Sequence, residues 1–414
     1  MNTSLPNPLI ESHRTVEAET LAYDQIEIVN TFGDPSREYG AIFESCALMD
    51  MPQRGVLELT GTDRLPFLNN LISNNTWDKN TKQPMPAGTG VYAFFLNLRG
   101  RIVADMNVLD LGDRTLVEAD VRKVELLRQT WDKYLFVEKV KMINRVGSLH
   151  EISLNGPNAF EVLQQAIGSR VTLLTPLAVS QTSLFGVPTT IFRDDTLGVP
   201  GFHLLIPTDQ ATFIWSRLTT HFGYTENGKH LLRPIGWAAY NAARIEAGRP
   251  LLDIDLPSAA PDKPGKKLQP VEQEAATTAD APATGGILPG ETGTPAAVAR
   301  GVSYTKCYVG QEVVARMHAR KVVARQMVGL LFADDALPIA GANVFDTTDN
   351  AIGGVTSSTI SPQLQGKAIA LAIVKRPHFS VGTIVRVPAE GKMREAKVVE
   401  LPFVTSERPT NVSS

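Results

Sequence analysis

The chain contains very little cysteine. Among its 414 residues only Cys46 and Cys307 are cysteines, and they lie far apart in the sequence. Two separated thiols cannot form a disulfide framework, a zinc site built from cysteines or the four-cysteine ligand set of an iron–sulfur cluster. The histidines show no spacing typical of a metal site either. We therefore expect a protein without a bound metal that works in a reducing compartment.

The chain also lacks an excess of positive charge and a long apolar segment. Its 43 acidic and 40 basic residues give a formal net charge of -3, so there is no overall basic surface to hold a phosphate backbone. Residues 1–17 are polar, and no later window reaches the length of a membrane-spanning segment. These absences predict a cytoplasmic protein that binds neither nucleic acid directly nor a membrane.

The order of the apolar segments predicts an α+β protein. Residues 91–119 contain three strand-like segments separated by tight turns, a pattern typical of an antiparallel meander. A similar order of strands and helices returns after residue 148, and short strands separated by Gly and Pro follow residue 321, as in small β-barrels. Residues 257–286 have almost no large apolar side chain to offset the entropy of ordering. We predict a flexible leader at 1–20, α+β lobes at 21–148 and 149–256, a disordered insertion at 257–286, a loop and helix at 287–320, and a β-barrel at 321–404.

One stretch, residues 304–312, combines a cysteine with the start of a helix. Apolar residues at helical spacing begin at Val313, which predicts a loop that leads into a helix. The helix dipole and the charge of Lys306 would both favour the thiolate of Cys307, which makes it a candidate reactive thiol. The alternative is a buried structural cysteine, with Gly310 serving only the turn. Spacing alone leaves both interpretations open.

The same stretch resembles the Lys-Gly-Cys-Tyr-x-Gly-Gln-Glu signature of the YgfZ family of folate-binding proteins. That family is related to the aminomethyltransferase, or T-protein, of the glycine cleavage system. The matching positions are Cys307, Tyr308, Gly310, Gln311 and Glu312. The lysine of the signature falls on Thr305 and its glycine on Lys306. Either Lys306 performs the role of that lysine from the next position, or the role is absent.

Asp105 lies on a strand that follows a tight turn. Its neighbours on the same face are partly apolar, and a carboxyl group in such a setting tends to have a raised pKa. A solvent-facing Asp on a meander strand is the alternative. The segment 100–106 resembles the Gly-Gly-Ile-x-Asp-Asp stretch of the T-protein. The resemblance implies that Asp105 contacts folate and takes part in methylene transfer.

Arg244 begins the sequence Arg-Ile-Glu-Ala-Gly, which resembles the Arg-x-Glu-Ala-Gly motif of the same superfamily. At helical spacing Arg244 shares a face with Trp237 and Tyr240. Aromatic rings and a guanidinium group suit a flat heteroaromatic ligand that bears carboxylates. The alternative is a core aromatic pair, with Arg244 bonded to a nearby carboxylate. The resemblance implies that the arginine helps to hold folate.

The resemblance implies a three-domain ring of α+β class, in which two antiparallel α+β lobes and a small C-terminal β-barrel surround a channel for tetrahydrofolate. It implies catalytic roles for Cys307, Asp105 and Lys306, and folate contacts from Asp105, Arg244, Trp237, Tyr240, Tyr308, Gln311 and Glu312. The implied function is tetrahydrofolate-dependent support of iron–sulfur cluster assembly or repair, and through it of tRNA modification, with iron–sulfur proteins as clients.

Two other functions stay open. The first is a folate-dependent aminomethyltransferase or demethylase of the T-protein type. It is weakened because Val199 stands where the T-protein has a Glu that contacts the pterin, and the loss of such a buried hydrogen bond costs about 1 to 3 kcal/mol. The second is an interaction module that keeps the fold without folate.

Overall fold

The computed structural model describes residues 7–168, 175–223, 231–262, 286–292, 301–320 and 323–404. Its helices are α1 (Ile10–Thr15), α2 (Pro35–Glu44), α3 (Arg64–Leu71), α4 (Val121–Asp132), α5 (Ala159–Ile167), α6 (Ala211–Phe222), α7 (Trp237–Glu246) and α8 (Gln311–Arg320). In the described part of the chain, no helix is both long and apolar enough to span a membrane.

The described residues also form twenty-one strands. Those before residue 150 are β1 (Glu19–Tyr23), β2 (Ile26–Thr31), β3 (Cys46–Asp50), β4 (Arg54–Thr60), β5 (Trp77–Asp78), β6 (Gln83–Pro84), β7 (Thr89–Leu96), β8 (Ile102–Asp110), β9 (Arg114–Asp120) and β10 (Lys141–Asn144). Those that follow are β11 (Leu149–Asn155), β12 (Val179–Leu184), β13 (Val187–Arg193), β14 (Gly201–Pro207), β15 (Leu232–Ile235), β16 (Arg325–Phe332), β17 (Asn343–Phe345), β18 (Ala351–Ser361), β19 (Lys367–Lys375), β20 (Ile384–Ala389) and β21 (Lys392–Val399).

The first lobe is an antiparallel sheet of order β10-β4-β9-β8-β7. The predicted meander corresponds to β7, β8 and β9, which pair in sequence order. Residues at alternating positions of these strands, such as Ala104 and Met106, are fully buried in an apolar core that also contains side chains of α3 and α4. The other face of the sheet is therefore left for the second lobe.

The second lobe is a sheet of order β12-β13-β14-β11-β3-β15. Its pairs are antiparallel except for β15 and β3, which are parallel. Strand β3 precedes the first sheet in the chain but pairs with β11 in the second. The predicted first lobe, residues 21–148, therefore does not hold for β3. This strand lies in the second sheet because it pairs with β11, which is distant in the sequence.

The third part of the molecule is a closed barrel of order β16-β19-β18-β17-β20-β21. Small and β-branched side chains such as Ala370 and Val385 fill its interior. The predicted fold class, two antiparallel-type α+β lobes with a small C-terminal barrel, is confirmed.

The segment expected to be a flexible leader, residues 1–20, is structured from residue 7. Asn7 Nδ2 and His13 Nε2 lie 2.9 and 3.0 Å from Asp50 Oδ2, and His150 Nε2 lies 2.7 Å from Oδ1. Burial alone would raise the pKa of Asp50, but the two histidines outweigh it and hold that pKa well below its usual range. This polar cluster ties α1 to β3, and it corrects the expectation for residues 7–20; residues 1–6 lie outside the described part.

Both ends of the predicted insertion, residues 257–286, contact the first sheet. Ala259 N donates to Ile102 O at 2.7 Å, and Ile102 N donates to Ile287 O at 2.8 Å. Arg101 Nη1 donates to Gly286 O at 2.8 Å. The expected disorder is therefore wrong for these flanking residues, which pair with the start of β8, while residues 263–285 lie outside the described part.

Candidate functional site

A polar centre lies between the two lobes. Along β8, Ala104 and Met106 enter the apolar core of the first lobe, so the alternation of a strand directs Asp105 and Asn107 to the opposite face. Glu118 on β9 shares that face because its core-facing neighbours are Val117 and Ala119. This face of the first sheet is the one that carries acidic side chains.

Asp105 is partly buried in this centre. Tyr92 Oη donates a hydrogen bond of 2.9 Å to Asp105 Oδ2. Burial raises the pKa of Asp105 above its ordinary value, and the charges of Glu118 and Asp120 add to this rise. The charge of Arg54 and the Tyr92 hydrogen bond oppose it. Asp105 is thus an oriented carboxyl group whose proton is held more tightly than in water.

Buried ionisable groups extend from Asp105 toward the second lobe. Arg54 forms an ion pair with Glu118, which also accepts a 2.8 Å hydrogen bond from Asn107 Nδ2. His203 Nδ1 lies 2.7 Å from Glu151 Oε1. Burial and the nearby charge of Glu118 raise the pKa of Glu151. Although burial would lower the pKa of His203, its carboxylate neighbours, Glu151 foremost, raise it.

Three buried polar atoms of this centre lack a hydrogen-bond partner among the described residues: Asn107 Oδ1, Glu151 Oε2 and His203 Nε2. Two of the three are acceptors. Because a buried polar group without a partner costs about 1 to 3 kcal/mol, such groups commonly bind water or a ligand. The polar centre therefore suits a ligand rich in N–H donors.

Tyr240 and Trp237 contribute the aromatic part of the site. Tyr240 is buried, and burial raises the pKa of its hydroxyl. Tyr240 lies in an apolar cluster against which Val199 also packs. Trp237 is half-buried, with ring centroids 5.6 Å from Tyr240 and 5.8 Å from Tyr23. The pair therefore connects this apolar cluster to the β1–β2 hairpin.

Arg244 is fully buried and bonded to protein groups through all three guanidinium nitrogens. Nη1 donates to Asp255 Oδ2 at 2.6 Å and to Arg249 O at 3.1 Å, Nη2 donates to Ser357 Oγ at 2.8 Å, and Nε donates to Asn241 Oδ1 at 2.9 Å. These contacts join α7 to the barrel strand β18. They correspond to the structural alternative for Arg244, a guanidinium bonded to a nearby carboxylate.

The cysteine loop, residues 301–310, exposes Cys307 and buries Lys306. Lys306 Nζ donates to Asn69 O at 2.8 Å and to Asn69 Oδ1 at 3.2 Å, and it also donates to Asn74 O. Burial, and secondarily the charge of Lys79, lower the pKa of Lys306 to about 7. The amine is therefore bound by the first lobe. The sequence analysis predicted a positive charge of Lys306 beside Cys307, but the amine does not face the solvent there.

The other residues of the signature lie in different environments. Tyr308 is buried, its hydroxyl has no partner among the described residues, and burial raises its pKa. Gln311 is half-buried and Glu312 is exposed in the first turn of α8. The exposed position of Glu312 separates it from the buried polar centre around Asp105.

Gly310 explains how the cysteine loop meets the strand of Asp105. Its φ is +79°, and a Cβ atom here would lie 2.3 Å from Asn97 O and 3.0 Å from Gly100 Cα. Gly100 ends the turn that leads into β8. The loop also approaches Tyr92, since a Cβ on Gly301 would lie 3.1 Å from Tyr92 Cδ1. The loop thus packs against the turn before β8 and against the tyrosine that orients Asp105.

Sequence reasoning missed Tyr92, Arg54 and Glu118. A signal for each was present: a polar residue at an alternating position of a strand whose other positions are apolar. Without the partner sheet, that pattern is the same as the pattern of a solvent-facing strand. Only the packing of the two lobes reveals that these side chains are enclosed.

Comparison with known proteins places this geometry in a family. The model of the GCVT N-terminal domain matches residues 9–260, and the model of the glycine cleavage T-protein C-terminal barrel domain matches residues 325–405. The chain belongs to the glycine cleavage T-protein family. The ranges cover both lobes and the barrel, whereas the cysteine loop and α8 lie between the two matched ranges.

The chain is similar over nearly its full length to two proteins. The aminomethyltransferase of Bacillus subtilis (strain 168) is 24% identical over 398 residues, which cover 96% of this chain and 98% of the relative. The crystal structure of the glycine cleavage system aminomethyltransferase T from Bartonella henselae matches with a TM-score of 0.77 and 23% identity. That match covers 96% of this chain and 97% of the other. At this identity the structural match shows the fold.

Tetrahydrofolate is the ligand that the sequence resemblance implies, and the chemistry of the polar centre can be compared with it. A reduced pterin ring presents several N–H groups, which require acceptors. Asp105 and the unpartnered oxygens of Asn107 and Glu151 are acceptors. The described residues contain no group of His, Cys, Asp and Glu arranged to hold a metal ion.

Proposed function

We propose that this protein binds tetrahydrofolate in the polar centre, with the pterin ring against Asp105. The observation that carries the proposal is the Tyr92–Asp105 pair, in which a hydrogen bond of 2.9 Å orients a carboxyl group of raised pKa. A carboxyl group of this kind can accept a hydrogen bond from a ring N–H, and it can exchange a proton with a one-carbon adduct of the folate. Tetrahydrofolate, when bound, would supply the one-carbon chemistry.

Calorimetric titration with tetrahydrofolate tests this proposal. The Asp105→Asn variant keeps the shape of the side chain but loses the charge, so we expect a clear loss of affinity. Asp113→Asn is the matched control, because Asp113 is an exposed acid paired only with its neighbour Arg114. Equal affinity in the wild type and in both variants would contradict the proposal.

For the activity, we propose folate-dependent aminomethyl transfer as the first candidate and the role of the YgfZ branch as the second. In the YgfZ role, tetrahydrofolate supports iron–sulfur cluster assembly or repair and thereby tRNA modification. The specific support for the YgfZ role is the stretch 304–312, which resembles the YgfZ signature except at Thr305 and Lys306; its loop packs on the turn before the strand of Asp105. An exposed Cys307 is open to a client protein.

The test of this role is complementation of cells that lack the protein, with the activity of iron–sulfur enzymes as the readout. We expect Cys307→Ser to fail and the buried-cysteine variant Cys46→Ala to succeed, provided that both variants accumulate equally. Full rescue by Cys307→Ser would contradict the role of the thiol.

The first candidate, folate-dependent aminomethyl transfer, is favoured by the full-length similarity to the aminomethyltransferase of Bacillus subtilis. Val199 opposes it, since this side chain packs in an apolar cluster with Tyr240 and cannot accept a hydrogen bond from a pterin. Formation of methylenetetrahydrofolate from an aminomethylated lipoyl carrier protein would establish this activity. No turnover by a protein that binds tetrahydrofolate would exclude it and leave the YgfZ role.

A further inference from the structure

The cysteine loop alternates between outward and inward side chains around Cys307. Thr305 and Cys307 are exposed, whereas Lys306 and Tyr308 are buried, with exposures of 7% and 8%. Lys306 is the direct chain neighbour of Cys307, so a contact that fixes the Lys306 side chain also restricts the backbone that carries Cys307.

The partner of Lys306 is a short segment of the first lobe, residues 69–76, which comprises the last turn of α3 and the residues after it. The three oxygens that surround Lys306 Nζ all belong to Asn69 and Asn74. Asn69 Oδ1 also accepts from Thr76 N at 3.1 Å, and Thr76 Oγ1 donates to Leu65 O at 2.8 Å. These hydrogen bonds hold the segment in its conformation without any contribution from Lys306.

A second contact joins the same two segments. Ser73 Oγ donates to Gly301 O at 2.5 Å, and Ser303 N donates to Ser73 O at 2.8 Å. Ser73 holds the start of the cysteine loop, and Lys306 holds its middle. The buried side chains of Val302 and Tyr308 and the close contact at Gly310 also hold the loop, and Lys306 adds the polar anchor that lies next to Cys307.

None of the ion pairs between described residues includes Lys306, and its Nζ lies 5.8 Å from the centroid of the Tyr308 ring. Burying an amine among uncharged oxygens is costly compared with leaving it in water. The hydrogen bonds of this amine connect the cysteine loop to the first lobe.

We infer that Lys306 is a positioning residue that fastens the cysteine loop to residues 69–76 and so fixes the outward presentation of Cys307. This inference rests on the proposed function for its biological meaning, because that function gives the thiol its role. It also explains the departure from the signature: a lysine at the exposed position 305 would face outward with Cys307, whereas at 306 it faces the first lobe.

A spin label on Cys307 tests this inference directly. Cys46 is fully buried, so a thiol-reactive nitroxide attaches selectively to Cys307 in the folded full-length protein. In the wild type we expect an electron paramagnetic resonance spectrum dominated by an immobilised component. Lys306→Met, which keeps the length and apolar part of the side chain, should lose that component. Lys79→Met is the matched control because Lys79 is exposed, and it should keep the component.

An unchanged spectrum for Lys306→Met, or an equal loss in the Lys79→Met control, would overturn the inference. If Lys306→Met does not fold, amide hydrogen exchange of the wild type decides. The cysteine loop and residues 69–76 should then exchange at similar slow rates, and a loop that exchanges rapidly beside a protected segment would overturn it. Both measurements are made without folate, so a failure to bind tetrahydrofolate would contradict the proposed function and leave this test valid.

Discussion

Replacement of Gly310 by Ala should destabilise the protein through a backbone collision. An Ala at φ +79° pays about 1 to 2 kcal/mol for the left-handed conformation alone. Its Cβ would also lie 2.3 Å from Asn97 O, so that the loop or the Gly100 turn must move. Forcing extra atoms into a packed site typically costs a further 1 to 3 kcal/mol, roughly. We expect a total loss of about 2 to 5 kcal/mol in the free energy of unfolding.

Gly147→Ala separates the two contributions. Gly147 has a φ of +84° and no described atom within 4 Å of the position of a Cβ, so its variant pays only the conformational cost. Urea denaturation followed by fluorescence should show a larger loss for Gly310→Ala than for Gly147→Ala. Equal losses would refute the argument that Gly310 is required by its contact with the Gly100 turn.

Three further outcomes follow from the buried groups. Lys306 has a folded-state pKa of about 7, below its ordinary 10.5, so the unfolded chain binds more protons than the folded protein between these pH values. The free energy of unfolding of the wild type should therefore rise with pH across that window, and this rise should be absent in Lys306→Met. Denaturation at a series of pH values checks this. Arg244→Met leaves Asp255 buried without its partner and should cost about 3 to 5 kcal/mol in urea denaturation, whereas Arg244→Met with Asp255→Leu should recover part of that loss. Tyr92→Phe removes a hydrogen bond that lowers the pKa of Asp105, so carboxyl NMR titration should find that pKa higher than in the wild type; an unchanged value would place the hydroxyl elsewhere.

The fold was largely predictable because its signals are local. The meander of β7 to β9 follows from tight turns between apolar segments, and the barrel follows from short strands separated by Gly and Pro. Strand β3 was not predictable, since its pairing with β11 joins residues about a hundred positions apart. Helix α1 was missed because it is only six residues long and has no side-chain cap; contacts to Asp50 stabilise it.

The candidate site was predictable only in part, for a related reason. Asp105 was identified through its segment, but the enclosure that raises its pKa depends on the second lobe. The direction of the Lys306 side chain depends on the oxygens of residues 69–76, which sequence spacing does not reveal. Arg244 is the opposite case, because its motif predicted a ligand contact. In the structure its guanidinium group donates hydrogen bonds to Asp255 and Ser357, and no sequence pattern links either residue to Arg244.

The central claim is that tetrahydrofolate binds beside Asp105, next to the cysteine loop. Amide hydrogen exchange with and without tetrahydrofolate tests it most directly, because it locates the ligand without a mutation. The account predicts slower exchange in β7, β8 and residues 301–310, with no change in β20 and β21 on the far part of the barrel. Protection confined to the barrel, or no protection at saturating tetrahydrofolate, would contradict it.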